Sequence, residues 1–332
     1  MRIAFDHHLP FLLAHGGFQL QMEQTLSALR AIGVDAEWLR FWDAGQQPDI
    51  IHFFGKPDSA YLRFARGKGI KTVVNELLTG LGSRSESKLR IQSAVVRIAK
   101  KICPQAASRM RWDAGDIADA LVALTPHEAH LMRSVFHAPW EKIHVVPNGV
   151  ADVFLQQGTE QRQDWLLCTA VIHPRKRVLE LAEAATRAAT PLRIYGRPYD
   201  DREQYFRDFL RVVQSSGGLV QWCGELTDQE ELARIYRRAK GFVLLSTMES
   251  LSLSALEAAA CATPLLLTDL PWATTTFGES AAYAPNTGEV EVIAARLRKF
   301  YDSPASSAGF QPCSWKQIAR QLKGLYESLA TA

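Results

Sequence analysis

Glu249-Ser250-Leu251-Ser252-Leu253-Ser254-Ala255-Leu256-Glu257 is the stretch on which the reading of this chain turns. An apolar run at 242–245 precedes it and a second, 264–267, follows. A buried strand therefore passes through a serine-rich turn into a helix and returns to a strand, the repeat of a parallel sheet covered by helices. Working outward, the same alternation extends over the whole chain in two series. The first places strands at 2–5, 36–41, 50–54, 72–75, 120–124 and 143–146. The second places them at 165–171, 192–195, 219–222, 242–245, 264–267 and 281–284. Pro147-Asn148-Gly149 and the polar residues 156–163 separate the series and mark a linker.

The fold class expected is α/β, with two Rossmann-like, doubly wound domains facing each other across a cleft. The 332 residues suit two cores of ordinary domain size. The expected domains are 1–152, completed by a C-terminal helix at 313–332, and 153–312. Helix starts are expected as capping boxes at Thr125–Glu128, Thr227–Glu230 and Ser314–Gln317. Residues 79–87, rich in Gly and Ser, fit neither series and suggest a loop that is either mobile or functional.

Composition narrows the classes. With 47% hydrophobic and 22% charged residues the chain is globular, and no apolar run reaches the roughly 20 residues of a bilayer span. Met1–Phe5 runs straight into a strand pattern rather than a secretory signal, so the expected location is cytoplasmic. Cys103, Cys168, Cys223, Cys261 and Cys313 are scattered, without disulfide or metal spacing, and read as small core residues. The net charge of +3 is too small for a nucleic-acid binder. The first 150 residues hold eighteen Lys and Arg against fourteen Asp and Glu, which makes that half the more basic one.

Three patterns carry chemistry. Glu249 in a loop and Glu257 on the following helix place two carboxylates around the backbone of Ser250, Leu251, Ser252 and Leu253. A helix N-terminus there suits phosphate, one carboxylate suits a sugar and the other a ribose. The competing reading is a capping box of Ser254 and Glu257 beside a loop charge at Glu249. His173-Pro174-Arg175-Lys176-Arg177 follows the first strand of the second series. Its cations would stabilise a departing diphosphate without a metal, or else form a solvated basic turn. Both segments fall at the carboxyl edge of one expected sheet, where ligands of open α/β sheets bind. Gly16-Gly17 would let backbone approach a bound group, or simply make a tight turn. His52 and Glu76, at the ends of expected strands, are acceptor-side candidates, with a structural role as the alternative for each. No Asp-x-Asp pair or zinc spacing occurs, so no metal site is expected.

These residues, taken in order, resemble glycosyltransferase family 4, whose members have the two-domain GT-B fold, over nearly the whole chain. Gly16-Gly17 is similar to the family's N-terminal glycine motif, Pro48-Asp49-Ile50-Ile51-His52 to its "PDxxH" strand, and residues 145–150 to its "VxPNGV" segment. Arg175-Lys176 matches the end of its "GR…K" motif, residues 224–231 its "G…D…L" stretch, and Glu249 and Glu257 its paired glutamates, with 258–264 in place of "AMACGTP". The resemblance implies a retaining, metal-independent transfer of a hexose from a nucleotide-diphosphate sugar to a glycan, a lipid-linked acceptor or an envelope polysaccharide. It implies that Glu249 contacts the donor sugar, Glu257 the ribose and Lys176 the diphosphate, with backbone near Arg197 and Leu226 on the nucleobase. Where the family has "GR" this chain has Ala170-Val171, so Arg175 or Arg177 must replace that arginine. Ser250-Leu251-Ser252 stands in place of "GFG". No cofactor is implied beyond the donor itself.

From 88 to 102, Ile91, Val95, Ile98 and Ile102 recur at helical spacing while Arg90, Arg97, Lys100 and Lys101 fill other faces. Such a helix suits an anionic membrane surface, at the inner face of the membrane, or is an ordinary amphipathic helix with a solvated basic face. Two other functions fit the same scaffold: a sugar-nucleotide epimerase or phosphorylase, and a non-catalytic nucleotide-sugar binding protein.

Overall fold

A computed structural model describes residues 1–11, 16–78, 80–304 and 309–331. Thr79, at the head of the Gly- and Ser-rich stretch, residues 305–308 and Ala332 lie outside the described residues. The chain divides into two compact units, Met1–Gly149 with Trp315–Ala332, and Val150–Ser314.

In the first unit the strands are β1 (Arg2–His7), β2 (Asp35–Trp38), β3 (Ile50–Phe54), β4 (Lys71–Asn75), β5 (Ala120–Ala123) and β6 (Ile143–Val145), all parallel, in the order β2-β1-β3-β4-β5-β6. Every residue of β3 and β5 is buried, which is why these strands read as continuous apolar runs. The register places Phe5 beside His52 and Phe54 beside Asn75. The helix Trp315–Thr331 packs on the helix Gly17–Ala31 and buries Trp315, Ile318, Leu322 and Tyr326. Gly149 makes the return possible, because a Cβ there would sit 2.6 Å from the Trp315 nitrogen.

The second unit repeats the plan with β7 (Gln163–Thr169), β8 (Leu192–Tyr195), β9 (Val220–Trp222), β10 (Ala239–Leu244), β11 (Leu265–Thr268) and β12 (Ala282–Ala284), in the order β12-β11-β10-β7-β8-β9. All pairings are again parallel. In each sheet the direction of winding reverses once, between β1 and β3 and between β7 and β10. Loops leaving the carboxyl ends of those strand pairs diverge and leave a crevice for ligands. The two-sheet α/β class is the one expected.

Differences from expectation are local. β2 ends at Trp38 instead of 41: Phe41 is 69% exposed and Trp42 99%, so nothing there supports a strand on the open edge of the sheet. The helix expected to start in a Thr227–Glu230 box begins at Gln229, because Asp228 is the better acceptor and takes the amides of Glu230 and Glu231. Thr125 caps its helix, accepting from the Glu128 amide, while Glu128 reaches back to the amides of Leu124 and Leu78. Cys168 and Cys261 are buried, but Cys103 and Cys223 are exposed, so the cysteines are not all core residues.

Candidate functional site

Strands β7 and β10 are neighbours, so the loops leaving their carboxyl ends lie side by side. After β7 a single 3-10 turn, Pro174–Lys176, is opened by His173, whose ring Nδ1 accepts from the Arg175 amide. After β10 the chain runs through 245–252. The loops are stitched by backbone: the Thr247 amide donates to the Arg175 carbonyl at 2.8 Å, and Arg175 Nη1 donates to the Met248 carbonyl at 3.1 Å. That lacing brings the two sequence patterns together. Lys176 Nζ bonds Glu249 Oε1, and Arg175 Nη1 lies 3.4 Å from Glu249 Oε2. Burial by itself would raise the Glu249 carboxyl, but Lys176 and then Arg175 outweigh it and hold the group below the ordinary carboxylate value.

Arg177 is positioned differently from its neighbour. It adopts a left-handed conformation, φ 50°, and caps the helix Val178–Arg187, with Glu180 and Tyr205 as its electrostatic neighbours. Arg175 alone of the two reaches Glu249.

The helix Leu253–Ala260 starts from Ser252, whose Oγ accepts from the Ala255 amide at 3.4 Å. The capping box of Ser254 and Glu257 does not form. Glu257 instead receives a 3.0 Å hydrogen bond from Tyr236 Oη, which also lies 2.6 Å from Thr169 Oγ1. Burial pushes the Glu257 carboxyl up to about 7, against the pull of the Tyr236 hydroxyl, and among the described residues no cation balances it. The two glutamates thus differ in kind, one ionised between cations and one poised near neutrality. Ser250, Leu251 and Ser252 are buried in the turn between them, and Leu253 opens the helix.

Arg197 and Leu226 sit in the loops after β8 and β9. Gly196 holds those loops against the first: with φ 146° its missing Cβ would lie 1.9 Å from the Ala170 carbonyl oxygen, and Trp222 Nε1 donates to its carbonyl at 2.8 Å. Arg197 pairs with Glu225 at 3.3 Å.

In the first unit Gly16 adopts φ 129°, open to glycine, and Gly17 begins the helix. His52 is fully buried, its Nδ1 2.6 Å from Tyr326 Oη, and burial lowers its pKa to about 3. It packs between Phe5 and Phe54 and presents no surface to a ligand. Glu76 pairs with Lys56 at 3.2 Å; burial raises its carboxyl, with Lys56 opposing. Sequence reasoning missed Lys56 and its neighbours His8 and Arg111, whose side chains both meet the Lys56 carbonyl. It also missed Tyr236 and Thr169, since a tyrosine on the apolar face of a helix reads as core until its hydroxyl partner is known. Among the described residues no group of three or more His, Cys, Asp or Glu is arranged to hold a metal ion.

Two Rossmann-like units in one chain, each reversing its winding once, with cations and carboxylates at the reversal in the second, define a GT-B protein. The model of the glycosyl transferase 4-like domain matches residues 6–149, and that of the glycosyl transferases group 1 matches residues 163–303. The chain belongs to the GT-B glycosyltransferases related to family 4. Among solved structures it is similar to a sucrose-phosphate synthase (tll1590) from Thermosynechococcus elongatus, with 18% identity over 99% of this chain and 98% of that one and a TM-score of 0.72. Anabaena Alr3699/HepE in complex with UDP and glucose aligns over 99% of this chain and 100% of its own, with 13% identity and a TM-score of 0.67. A glycosyltransferase from Rickettsia africae ESF-5 aligns over 98% and 97%, with 12% identity and a TM-score of 0.64. No curated protein matches the chain.

Proposed function

We propose that this glycosyltransferase moves a hexose, with retention and without a metal, from a nucleotide-diphosphate sugar to a glycan, lipid-linked or envelope polysaccharide acceptor. The second unit takes the donor and the first the acceptor, with Gly16 and Gly17 lending backbone to the donor and Glu76 serving the acceptor side. The observation that carries the reading is the Lys176–Glu249–Arg175 cluster at the winding reversal of the second sheet.

The chemistry follows from charge. As the bond from sugar C1 to the phosphate oxygen breaks, negative charge grows on the diphosphate, and two fixed cations stabilise that state more than the ground state. Lys176 is one, and Arg175 takes the part of the arginine absent at Ala170-Val171. Glu249, held ionised, accepts hydrogen bonds from sugar hydroxyls. Glu257 accepts them from the ribose, and backbone near Arg197 and Leu226 meets the base. The acceptor oxygen bonds C1 on the face the phosphate leaves, and its proton passes to the departing phosphate oxygen. No strong protein base is needed.

HepE was solved with UDP and glucose, and the pneumococcal O-GlcNAc transferase GtfA with UDP and GlcNAc, which makes UDP-hexoses the first donors to try. The enzyme works in the cytoplasm, at the inner face of the membrane when its acceptor is lipid-linked. Slow hydrolysis of UDP-sugars provides the assay. Glu249→Ala should lower turnover by about 10²-fold or more while the circular dichroism spectrum is unchanged; an unaltered rate removes Glu249 from the mechanism. Absence of any hydrolysis by the native enzyme, with UDP still bound, would favour the non-catalytic binding protein.

A further inference from the structure

The helix Glu86–Ile102 is turned with its most apolar stripe outward. Ile91, Val95, Ile98 and Ile102 recur every three or four residues on one face and are 67, 48, 55 and 76% exposed. Its inner face is built from Leu89, Ser93, Val96 and Lys100; Ser93 donates to the Ser134 carbonyl, and Lys100 bonds the Phe136 carbonyl and Asp116. Lys100 therefore leaves the set of surface cations that the helical pattern suggested. A helix this amphipathic normally buries its apolar face; among the described residues nothing covers this one.

Charge says what would cover it. At 100° per residue Lys88 projects on one flank of the stripe and Lys101 on the other, with Arg97 further round on the same side as Lys101. All three are exposed and have no ion-pair partner among the described residues. The single acid of the helix, Glu86, is paired with Arg90 at 3.2 Å. Beside the stripe lies an open hollow of about 620 Å³ lined by Arg84, Lys88, Ile91, Gln92, Val95 and Trp112, two cations at the rim of an apolar floor. A second copy of the chain docked face to face would set like charges against each other. A bilayer of anionic phospholipid supplies phosphates for the flanks and hydrocarbon for the stripe.

We propose that this face is a docking surface for an anionic phospholipid bilayer. The helix, about 25 Å long, lies in the plane of the interface with its isoleucines sunk roughly 5–10 Å into the headgroup and acyl boundary. Arg84, Lys88, Arg97 and Lys101 engage lipid phosphates. The hollow receives part of one lipid, its phosphate at Arg84 and Lys88 and its chain against Val95 and Trp112. Docking rests on the transferase reading only for its purpose, which is to bring the first unit to a lipid-linked acceptor.

Sedimentation with vesicles of mixed anionic and zwitterionic phospholipid tests it, and turnover plays no part in the readout. The full chain should co-sediment with anionic vesicles at low salt, be released by high salt, and remain in solution with purely zwitterionic vesicles. Ile91→Ser with Ile98→Ser should weaken partition by about tenfold or more per site, and Arg97→Gln with Lys101→Gln by about fivefold per cation. Both variants change exposed side chains, so donor hydrolysis and the thermal midpoint should match the native protein. Equal recovery with and without anionic vesicles overturns the proposal, as does native-like binding by the double serine variant. Light scattering that shows a native dimer and a monomeric serine variant would assign the face to a second copy instead.

Discussion

Tyr236 and Glu257 show how one hydroxyl can set the working range of a site. In its proposed role Glu257 accepts two hydrogen bonds from a ribose and must be ionised to do so, yet burial lifts its carboxyl to about 7. As pH falls through that value the group takes a proton, and kcat/KM for the donor should fall with it, because that ratio reports the free enzyme. Tyr236 donates to the ionised form and so opposes the rise. A hydrogen bond worth about 1 kcal/mol corresponds to roughly 0.7 pH units. Tyr236→Phe should therefore move the acid limb of the profile upward by about half a unit to one unit, and raise the donor KM more than it lowers kcat. Measured profiles that drop at every pH without a shift of the limb would make Tyr236 a packing residue only. The residue scale is also where the sequence is least informative. Glu249 and Lys176 stand out from their spacing, but the choice between Arg175 and Arg177 depends on a left-handed turn at 177 that no periodicity reveals.

At the scale of elements, the strands are legible because buried parallel strands are nearly pure apolar runs, and all twelve expected positions hold one. What fails is the edge and the orientation. Aromatic residues at 41 and 42 look like strand, although an edge leaves them in solvent. The periodicity of 88–102 announces a helix but not which face turns inward, since small residues such as Ser93 can line the inner face. His52 reads as a site from its place at the end of a strand. Its burial becomes evident only when the helix Trp315–Thr331, over two hundred residues away in sequence, lays Tyr326 on it. That contact is testable. Tyr326→Phe leaves a buried imidazole nitrogen without its partner and should cost about 1–3 kcal/mol of stability in chemical denaturation. His52 further sets a pH trend: its folded pKa lies near 3 against an ordinary 6.5. Its stabilising contribution is present above 6.5 and is lost progressively as pH falls toward 3, because the unfolded chain binds the proton first. His52→Asn should flatten that part of the denaturation profile.

At the scale of the whole molecule, every residue assigned to the diphosphate and the ribose other than Gly16 and Gly17 lies in the unit Val150–Ser314, so their roles can be separated with truncated ligands. A ligand that binds only the folded state raises apparent stability by mass action, by about 2.7 kcal/mol at a hundred times its dissociation constant. Among UDP, GDP and ADP, the nucleotide of the donor should raise the thermal midpoint most. Its monophosphate retains the ribose and base but lacks the outer phosphate. Lys176→Ala removes the cation proposed to meet the outer phosphate, and it should shrink the shift given by the diphosphate while leaving that of the monophosphate nearly intact. Glu257→Gln alters the group proposed to meet the ribose common to both ligands, so it should reduce the two shifts by the same factor. Each comparison uses the change on adding ligand, because Lys176→Ala leaves Glu249 without its nearest cation and lowers the starting midpoint by itself. If both variants cut the diphosphate and monophosphate shifts alike, the separation of phosphate and ribose roles between Lys176 and Glu257 is wrong.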